Sequence, residues 1–180
     1  MLLSPRGYEE FLKTHLHLLY YVGKKTSILL TETTFDTFYP MDSETKLLCR
    51  DALNSNSKYI DDYVFEFSNT LSVAQIVILN GLKVKVSADF VVFRYLAKST
   101  IFYNIDDKKF YSVKALGTPF HNMLGSISKI IAMTLIRHKE GVIYDGFVAE
   151  SDIKIEKNLS NSLDAEYQSA KRAKQIIRNI

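Results

Sequence analysis

The spacing of apolar residues changes near position 89, and this change constrains the fold of the 180-residue chain more than any other feature. Before Asp89, apolar residues recur every three or four positions, which is typical of amphipathic helices. From Phe90 to Leu96 the period is two, and both alternating sets are apolar. This pattern indicates a strand buried on both faces. The sequence therefore predicts helices followed by a sheet.

Four helices are predicted before the change of period. Ser4 and Pro5 suit the start of the first helix, and Gly23, followed by two lysines, suits its end. Residues 26–42 stay ambiguous between a loop and a single helical turn. The three further helices are predicted over 44–54, 57–68 and 73–85.

The helix over 73–85 competes with a strand, because this stretch is rich in β-branched residues. Ser72 and Gln75, however, have the spacing of a capping box, in which each side chain binds the backbone N–H of the other residue. The apolar spacing that follows is helical. Because the capping box and the spacing of the apolar residues both indicate a helix, a helix is predicted over 73–85.

After Asp89, turn residues divide the strand-like sequence into hairpins. The polar turn at 106–108 separates one pair of strands, and the turn at 139–141 separates a second pair. The predicted hairpin strands are Ser99–Ile105, Lys109–Ala115, Lys129–Arg137 and Val142–Val148, with a short edge strand over 152–156 and a final helix over 160–178.

These elements predict an α+β fold with N-terminal helices, a five- to six-stranded antiparallel meander and a C-terminal helix. Whether the meander stays open or closes into a small barrel is left undecided. The length suits a single domain over 1–180. Within it, we expect a mainly helical part over 1–87, a β part over 88–157 and a closing helix over 158–180.

Composition narrows the cellular setting. The 23 basic and 20 acidic residues give a formal charge of +3, which is too small to indicate nucleic acid or an anionic membrane by itself. A single cysteine, Cys49, forbids an internal disulfide and is compatible with a reducing compartment. The N-terminus has no signal-peptide pattern and no apolar run is long enough to cross a bilayer. A cytoplasmic protein that makes no membrane contact is expected.

No catalytic constellation can be assembled from the sequence. His15 and His17 are two residues apart on a predicted helix and cannot bind one ion together. Glycine-rich phosphate loops and the serine-hydrolase elbow are missing from the sequence. We therefore expect no cofactor and no metal ligands among these residues, and a non-enzymatic role is favoured over catalysis, which stays open.

Asp145 and Arg94 are charged residues inside apolar strands, and each needs a partner if it is buried. We expect the two to face each other or a shared cavity, with Tyr144 beside them as a ligand contact. The alternative is a structural ion pair, or a hydrogen bond at the strand end through Gly146. Asp145 with Asp152-Ile-Lys154 also resembles a metal-dependent hydrolase or nuclease pattern, which is the third functional candidate.

Basic and aromatic residues interleave along the predicted sheet. Aromatic rings can stack on bases while nearby cations hold phosphates, so a nucleic-acid interface is the second candidate. The competing interpretation is an ordinary aromatic core with lysines in the turns. The residues concerned are Tyr95, Lys98, Phe102, Lys108, Lys109 and Tyr111.

Several short motifs together resemble an uncharacterised family of bacterial proteins. They are FVVFRYL at 90–96, STIF at 99–102, LGTPF at 116–120, VIYDG at 142–146 and IDDY at 60–63. The resemblance covers position 45 to the C-terminus and supports a helix at 73–85. It implies a bacterial source and names no activity.

The leading functional prediction is a non-catalytic α+β domain that binds a protein or small-molecule partner. Nucleic-acid binding on the sheet and metal-dependent hydrolysis through Asp145 are the two alternatives. The sequence does not identify the ligand.

Overall fold

A computed structural model describes residues 2–154 and 157–180, with side chains described outside 151–161. Within this part of the chain, seven helices and a five-stranded mixed sheet form the predicted α+β fold. The chain divides into two compact units. The helical unit is Arg6–Lys83, and the barrel unit is Val84–Ile180 together with Met1–Pro5.

The helical unit confirms the predicted helices with small shifts at their ends. The short α2 lies in the segment that the sequence left ambiguous, and Thr34 caps it. The helices are α1 Pro5–Lys25, α2 Phe35–Phe38, α3 Ser43–Ser55, α4 Lys58–Glu66 and α5 Val73–Leu82.

Gly23 does not end α1 as predicted, because the helix continues through Lys25. A Cβ atom at Gly23 would lie 2.7 Å from a methyl carbon of Leu29 and 2.8 Å from the sulfur of Cys49. Real Cβ contacts are not that short. Glycine is therefore needed here for close packing between α1, the following loop and α3.

The capping box of α5 is confirmed. The Ser72 hydroxyl accepts from the Gln75 N–H at 3.3 Å, and the Gln75 side chain accepts from the Ser72 N–H at 2.9 Å. The helix ends at Leu82, three residues before the predicted end. Lys85 already pairs with Ile136 in the sheet, so the chain has turned to strand by that point.

The barrel unit contains all five strands. They close into a barrel in the order β1-β2-β3-β5-β4, with β4 pairing back to β1. The elements are β1 Lys85–Tyr95, β2 Thr100–Asn104, β3 Phe110–Lys114, α6 Phe120–Leu124, β4 Lys129–His138, β5 Gly141–Lys154 and α7 Lys157–Arg172.

The predicted antiparallel meander is only partly right. The β2–β3 and β4–β5 hairpins are antiparallel as predicted, but β3 and β5 pair in parallel at Val113↔Val142 and Lys114↔Ile143. The reason is that β4 pairs back to β1: with every other neighbour antiparallel, β3 and β5 both run in the direction of β1 and meet in parallel where the barrel closes. The predicted edge strand is the end of β5 up to Lys154, and residues 155–156 lie outside the described residues.

Both faces of β1 are buried, as its apolar pattern predicts. Phe90 faces inward, where its ring lies 6.4 Å from that of Phe102 and 5.9 Å from that of Tyr111. Val91 and Phe93 face outward, into a cluster that α7 covers with Leu163 and Tyr167. The inner core and the outer cluster are therefore separate layers that share the same strand.

The last helix is shorter than the predicted 160–178, because α7 ends at Arg172. Lys174 has a positive φ of 57°, which a helix does not tolerate. The following residues run beside β3, where Ile177 exchanges backbone hydrogen bonds with Phe110 and Ser112, each 2.8 Å long. This C-terminal segment therefore occupies the edge of β3 that β5 leaves open.

Candidate functional site

A β-bulge in β1 brings Arg94 to the outer face of the sheet. Val92 pairs with Phe102 and Arg94 pairs with Ile101, so Phe93 is the extra residue. A bulge changes the alternation of side chains at that point. Phe93 and Arg94 consequently lie on the same face, and the guanidinium carbon of Arg94 is 5.2 Å from the centre of the Phe93 ring.

The carboxylate partner of Arg94 is Asp164 on α7, not Asp145. The distance from Arg94 Nη2 to Asp164 Oδ1 is 2.5 Å. The same guanidinium lies 5.2 Å from the ring centre of Tyr167. The predicted pairing of Arg94 with Asp145 is thus wrong, because the bulge turns Arg94 toward α7.

Arg94 lines a cavity of about 410 Å³ in the barrel unit. The cavity lies between the β1–β2 loop, the end of β3, the β4–β5 turn, α7 and the C-terminal segment. Its volume is in the range of small-ligand pockets. We call it the cationic cavity, because its lining includes Arg94, Lys98, Lys114, Lys171 and Arg178.

The one carboxylate among its lining residues, Glu140, has partners within the protein. It accepts hydrogen bonds from the Ser4 hydroxyl at 2.6 Å and the Ser4 N–H at 3.1 Å, and Lys114 lies at 3.4 Å. Burial alone would raise the pKa of Glu140, but the bonds from Ser4 and the charge of Lys114 outweigh it and hold that pKa below its usual value.

Three cations of the cavity remain after these pairs are set aside. Lys98, Lys171 and Arg178 have exposed side chains, and none has a carboxylate partner within the part of the chain whose side chains are described. Cations gathered around a concave surface attract anions more strongly than the same charges on a flat one. The cavity is therefore suited to an anionic ligand.

The charge of the whole chain conceals a difference between the two units. Fifteen Lys and Arg against ten Asp and Glu give the barrel unit a formal charge of +5. Eight Lys and Arg against ten Asp and Glu give the helical unit a formal charge of −2. The small net value of +3 is the sum of a basic and an acidic unit, and the cationic cavity belongs to the basic one.

Asp145 is buried and does not line the cationic cavity. Its Oδ1 accepts a hydrogen bond from the N–H of Phe147 at 3.1 Å, across Gly146, whose φ is 100°. This is the strand-end hydrogen bond that the sequence left as an alternative. It stabilises an irregularity in β5 opposite Met133 and Leu135.

Tyr144 is not beside Arg94. Its ring lies 5.0 Å from Phe120 in the inner core, and its hydroxyl is 3.6 Å from the sulfur of Met123. Alternation along β5 turns this side chain inward, so Tyr144 does not line the cationic cavity with Arg94.

The residues of the predicted basic–aromatic face do not form one surface in the structure. Phe102 and Tyr111 are buried in the inner core, where no base can stack on them. Lys108 and Lys109 are exposed in the β2–β3 turn and do not line the cationic cavity. Tyr95 is half-buried beside His121, with ring centres 5.9 Å apart. Only Lys98 of this set lines the cavity.

Sequence reasoning missed Lys171 and Arg178, which it had assigned to a helix end. The signal available was the concentration of bases in the last ten residues, together with their place after a predicted helix that covers the sheet. The sequence could not predict that the chain changes direction after Arg172 and brings Arg178 alongside β3.

A second cavity of about 720 Å³ lies in the helical unit and is lined by Tyr20, Tyr21, Tyr63 and Phe67. Of the three lysines in its lining, Lys13, Lys24 and Lys25, the last two have partners within the protein. Lys24 donates to the carbonyls of Leu30, Thr31 and Thr33, and Lys25 lies 3.1 Å from Glu66. The lining of this groove combines the aromatic rings with polar side chains, among them Lys13, His17 and Gln75.

The described residues provide no metal-binding cluster for the hydrolase pattern of Asp145, Asp152 and Lys154. Over the described residues, no three His, Cys, Asp or Glu side chains lie close enough to hold an ion. The side chains of Asp152 and Lys154 lie outside the described residues.

Among the described helices, none combines the length and the apolar character that a bilayer crossing requires.

Comparison with known proteins identified no relative of this chain. No family model matches the chain, and searches of curated proteins and of solved structures found no significant match. The resemblance to an uncharacterised bacterial family stays a prediction.

Proposed function

We propose that this chain is a non-catalytic binding domain of the bacterial cytoplasm, and that its ligand is a single-stranded nucleic acid held at the cationic cavity. The observation that carries the proposal is the convergence of Lys98, Lys171 and Arg178 on one concave surface without carboxylate partners among the described side chains. Phosphate groups of a single strand are the anions that such a surface recognises without sequence preference.

The topology of the barrel supports the same ligand class. A five-stranded barrel in the order β1-β2-β3-β5-β4, with a helix between β3 and β4, has the connectivity of the OB-fold. OB-fold proteins bind oligonucleotides and oligosaccharides at the β1–β2 and β4–β5 loops. The cationic cavity lies between these two loops, with Lys98 in one and Glu140 in the other. This support is an analogy of fold, and the charges of the cavity distinguish the oligonucleotide from a neutral sugar.

The test is fluorescence anisotropy with a labelled oligothymidylate, repeated between 50 and 200 mM salt. Three phosphate contacts predict a slope of about −2 for log K against log salt concentration, at about −0.7 for each contact on a single strand. Unlabelled duplex and a neutral oligosaccharide serve as competitors, and neither is expected to displace the strand as well as oligothymidylate does. Absence of binding at 50 mM salt, or binding that does not weaken as salt rises, contradicts the proposal.

A further inference from the structure

The cavity of about 720 Å³ in the helical unit, which we call the aromatic groove, has three mutually packed rings in its wall. They are Tyr21 of α1, Tyr63 of α4 and Phe67, the residue after α4, and their centres lie 4.7 to 6.0 Å apart. Tyr20 is a further lining ring, and its hydroxyl donates to the carbonyl of Thr33 at 3.0 Å. These contacts hold the rings in place without a ligand. Such rings favour contact with other flat aromatic rings, beyond the gain from buried area alone.

The groove contains one cation that the protein does not pair. Of its three lysines, Lys24 donates to backbone carbonyls and Lys25 is paired with Glu66. Glu66 is the one carboxylate among the described lining residues, and it also accepts from the Tyr21 hydroxyl at 3.1 Å. Lys13 is exposed and has no carboxylate partner among the side chains that the structure describes. Lys13 is therefore available to the negative charge of a ligand.

Two further polar side chains line the groove. The Gln75 side-chain oxygen accepts from the Ser72 N–H at 2.9 Å, so its amide nitrogen remains as a donor for a ligand. His17 lies one turn after Lys13 on α1, with its ring stacked on that of Phe35 at 3.7 Å. Partial burial, together with the charge of Lys13, lowers the pKa of His17 from 6.5, so the ring is neutral at pH 7. The groove thus combines a single available cation with flat, uncharged surfaces.

We propose that the aromatic groove is a second binding site and that its ligand is a small aromatic carboxylic acid, with its ring among the aromatic side chains and its carboxylate at Lys13. The volume of about 720 Å³ is in the range of small-molecule pockets. One available cation suits a single negative charge rather than the successive phosphates of a nucleic-acid strand. The groove lies within the helical unit, so this site is independent of the function proposed for the barrel unit.

The chemical class is tested with three probes of similar size and the full chain. One probe, 2-naphthoate, has an aromatic ring and a charge, whereas 2-naphthalenemethanol lacks the charge and decahydronaphthalene-2-carboxylate lacks the aromatic ring. We expect 2-naphthoate to bind with a Kd of about 1 mM or lower, and each analogue to bind at least roughly threefold more weakly. Equal affinity of 2-naphthoate and either analogue, or no saturable binding of 2-naphthoate, overturns the proposal.

The carboxylate contact is tested by Lys13→Gln, with Lys58→Gln as the matched control. Both changes remove one exposed lysine of the helical unit, but Lys58 pairs with Asp62 and does not line the groove. Lys13→Gln should bind 2-naphthoate roughly threefold more weakly than the native chain does and should bind 2-naphthalenemethanol equally well. The control should retain both affinities, because its charge is outside the groove and screened. Equal losses of 2-naphthoate affinity in the two variants would contradict the site.

A second measurement locates the ligand in the native chain and does not depend on the fold of a variant. The imidazole proton resonances of His17 and His121 are followed by NMR while 2-naphthoate is added. Binding in the groove predicts saturable shifts at His17, a lining residue, and none at His121 of the barrel unit. Shifts confined to His121, or equal shifts at both residues, would place the ligand elsewhere and overturn the proposal.

Competition with oligothymidylate separates this site from the cationic cavity. A strand that binds without displacing 2-naphthoate supports two independent sites. Displacement of 2-naphthoate by the strand would contradict an independent site in the groove. If the strand does not bind while the three probes bind in the expected order, the proposed function is overturned and the groove site stands.

Discussion

Arg94 connects the candidate ligand site to the helix that covers the sheet. Its guanidinium lines the cationic cavity, and the same group contacts Asp164 and the Tyr167 ring. The identity of Arg94 as an unusual residue was evident from the sequence, since a cation inside an apolar strand needs a partner. The identity of the partner was not, because the bulge at Phe93 changes which face Arg94 occupies.

Protonation of His15 is expected to destabilise the helical unit, because the folded protein holds this ring in its neutral form. It is 4% exposed, and burial, reinforced by the charge of Arg50, lowers its pKa from 6.5 to about 4. The unfolded chain therefore binds a proton below pH 6.5 that the folded chain does not accept until about pH 4. Stability contributed by the neutral ring is present above pH 6.5 and is lost as the pH falls.

We expect this group to lower the free energy of unfolding by about 2 kcal/mol between pH 7 and pH 5. Urea denaturation at the two pH values measures the loss. His15→Gln should show a correspondingly smaller loss, whereas substitution of the exposed His121→Gln should behave like the native chain. Equal losses for His15→Gln and the native chain would show that His15 does not carry the effect.

At the scale of the element, local signals predicted the helices well. The helix α5 is the clearest case, because the capping box of Ser72 and Gln75 outweighed a β-branched composition. The hairpins followed from turn residues in the same way. The parallel pairing of β3 with β5 had no local signal, since it depends on the pairing of β4 back to β1, which closes the barrel. The return of the C-terminal segment along β3 likewise depends on a partner distant in sequence.

The cap of α5 supports a prediction at this scale. Ser72→Ala removes the acceptor of the Gln75 N–H and should destabilise the chain by about 1 kcal/mol. The matched control is Ser68→Ala, at an exposed position shortly before α5. Thermal or urea denaturation compares the two. A control as destabilised as Ser72→Ala would mean that the cap does not hold the helix.

At the scale of the whole molecule, charge is divided between two units, and the basic one contains the cavity. The sequence placed a change from helical to β structure at 87/88, close to the unit boundary at Val84, but its net charge of +3 did not show how the bases are divided between the units. It also grouped Lys98 with Lys109, although only Lys98 lines the cavity. Closure of the barrel determines which lysines line the same cavity, and that closure depends on pairing between segments that are distant in sequence, such as β1 and β4.

The most direct test of the account compares Lys98→Gln with Lys109→Gln in oligothymidylate binding. Each change removes one exposed lysine of the barrel unit, so the net charge is the same in both variants. A cavity site predicts that Lys98→Gln weakens binding by roughly fivefold, about 1 kcal/mol, and makes the salt slope shallower by about 0.7. Lys109→Gln should retain the affinity and slope of the native chain. Equal losses in the two variants, or a loss confined to Lys109→Gln, would contradict binding at the cationic cavity.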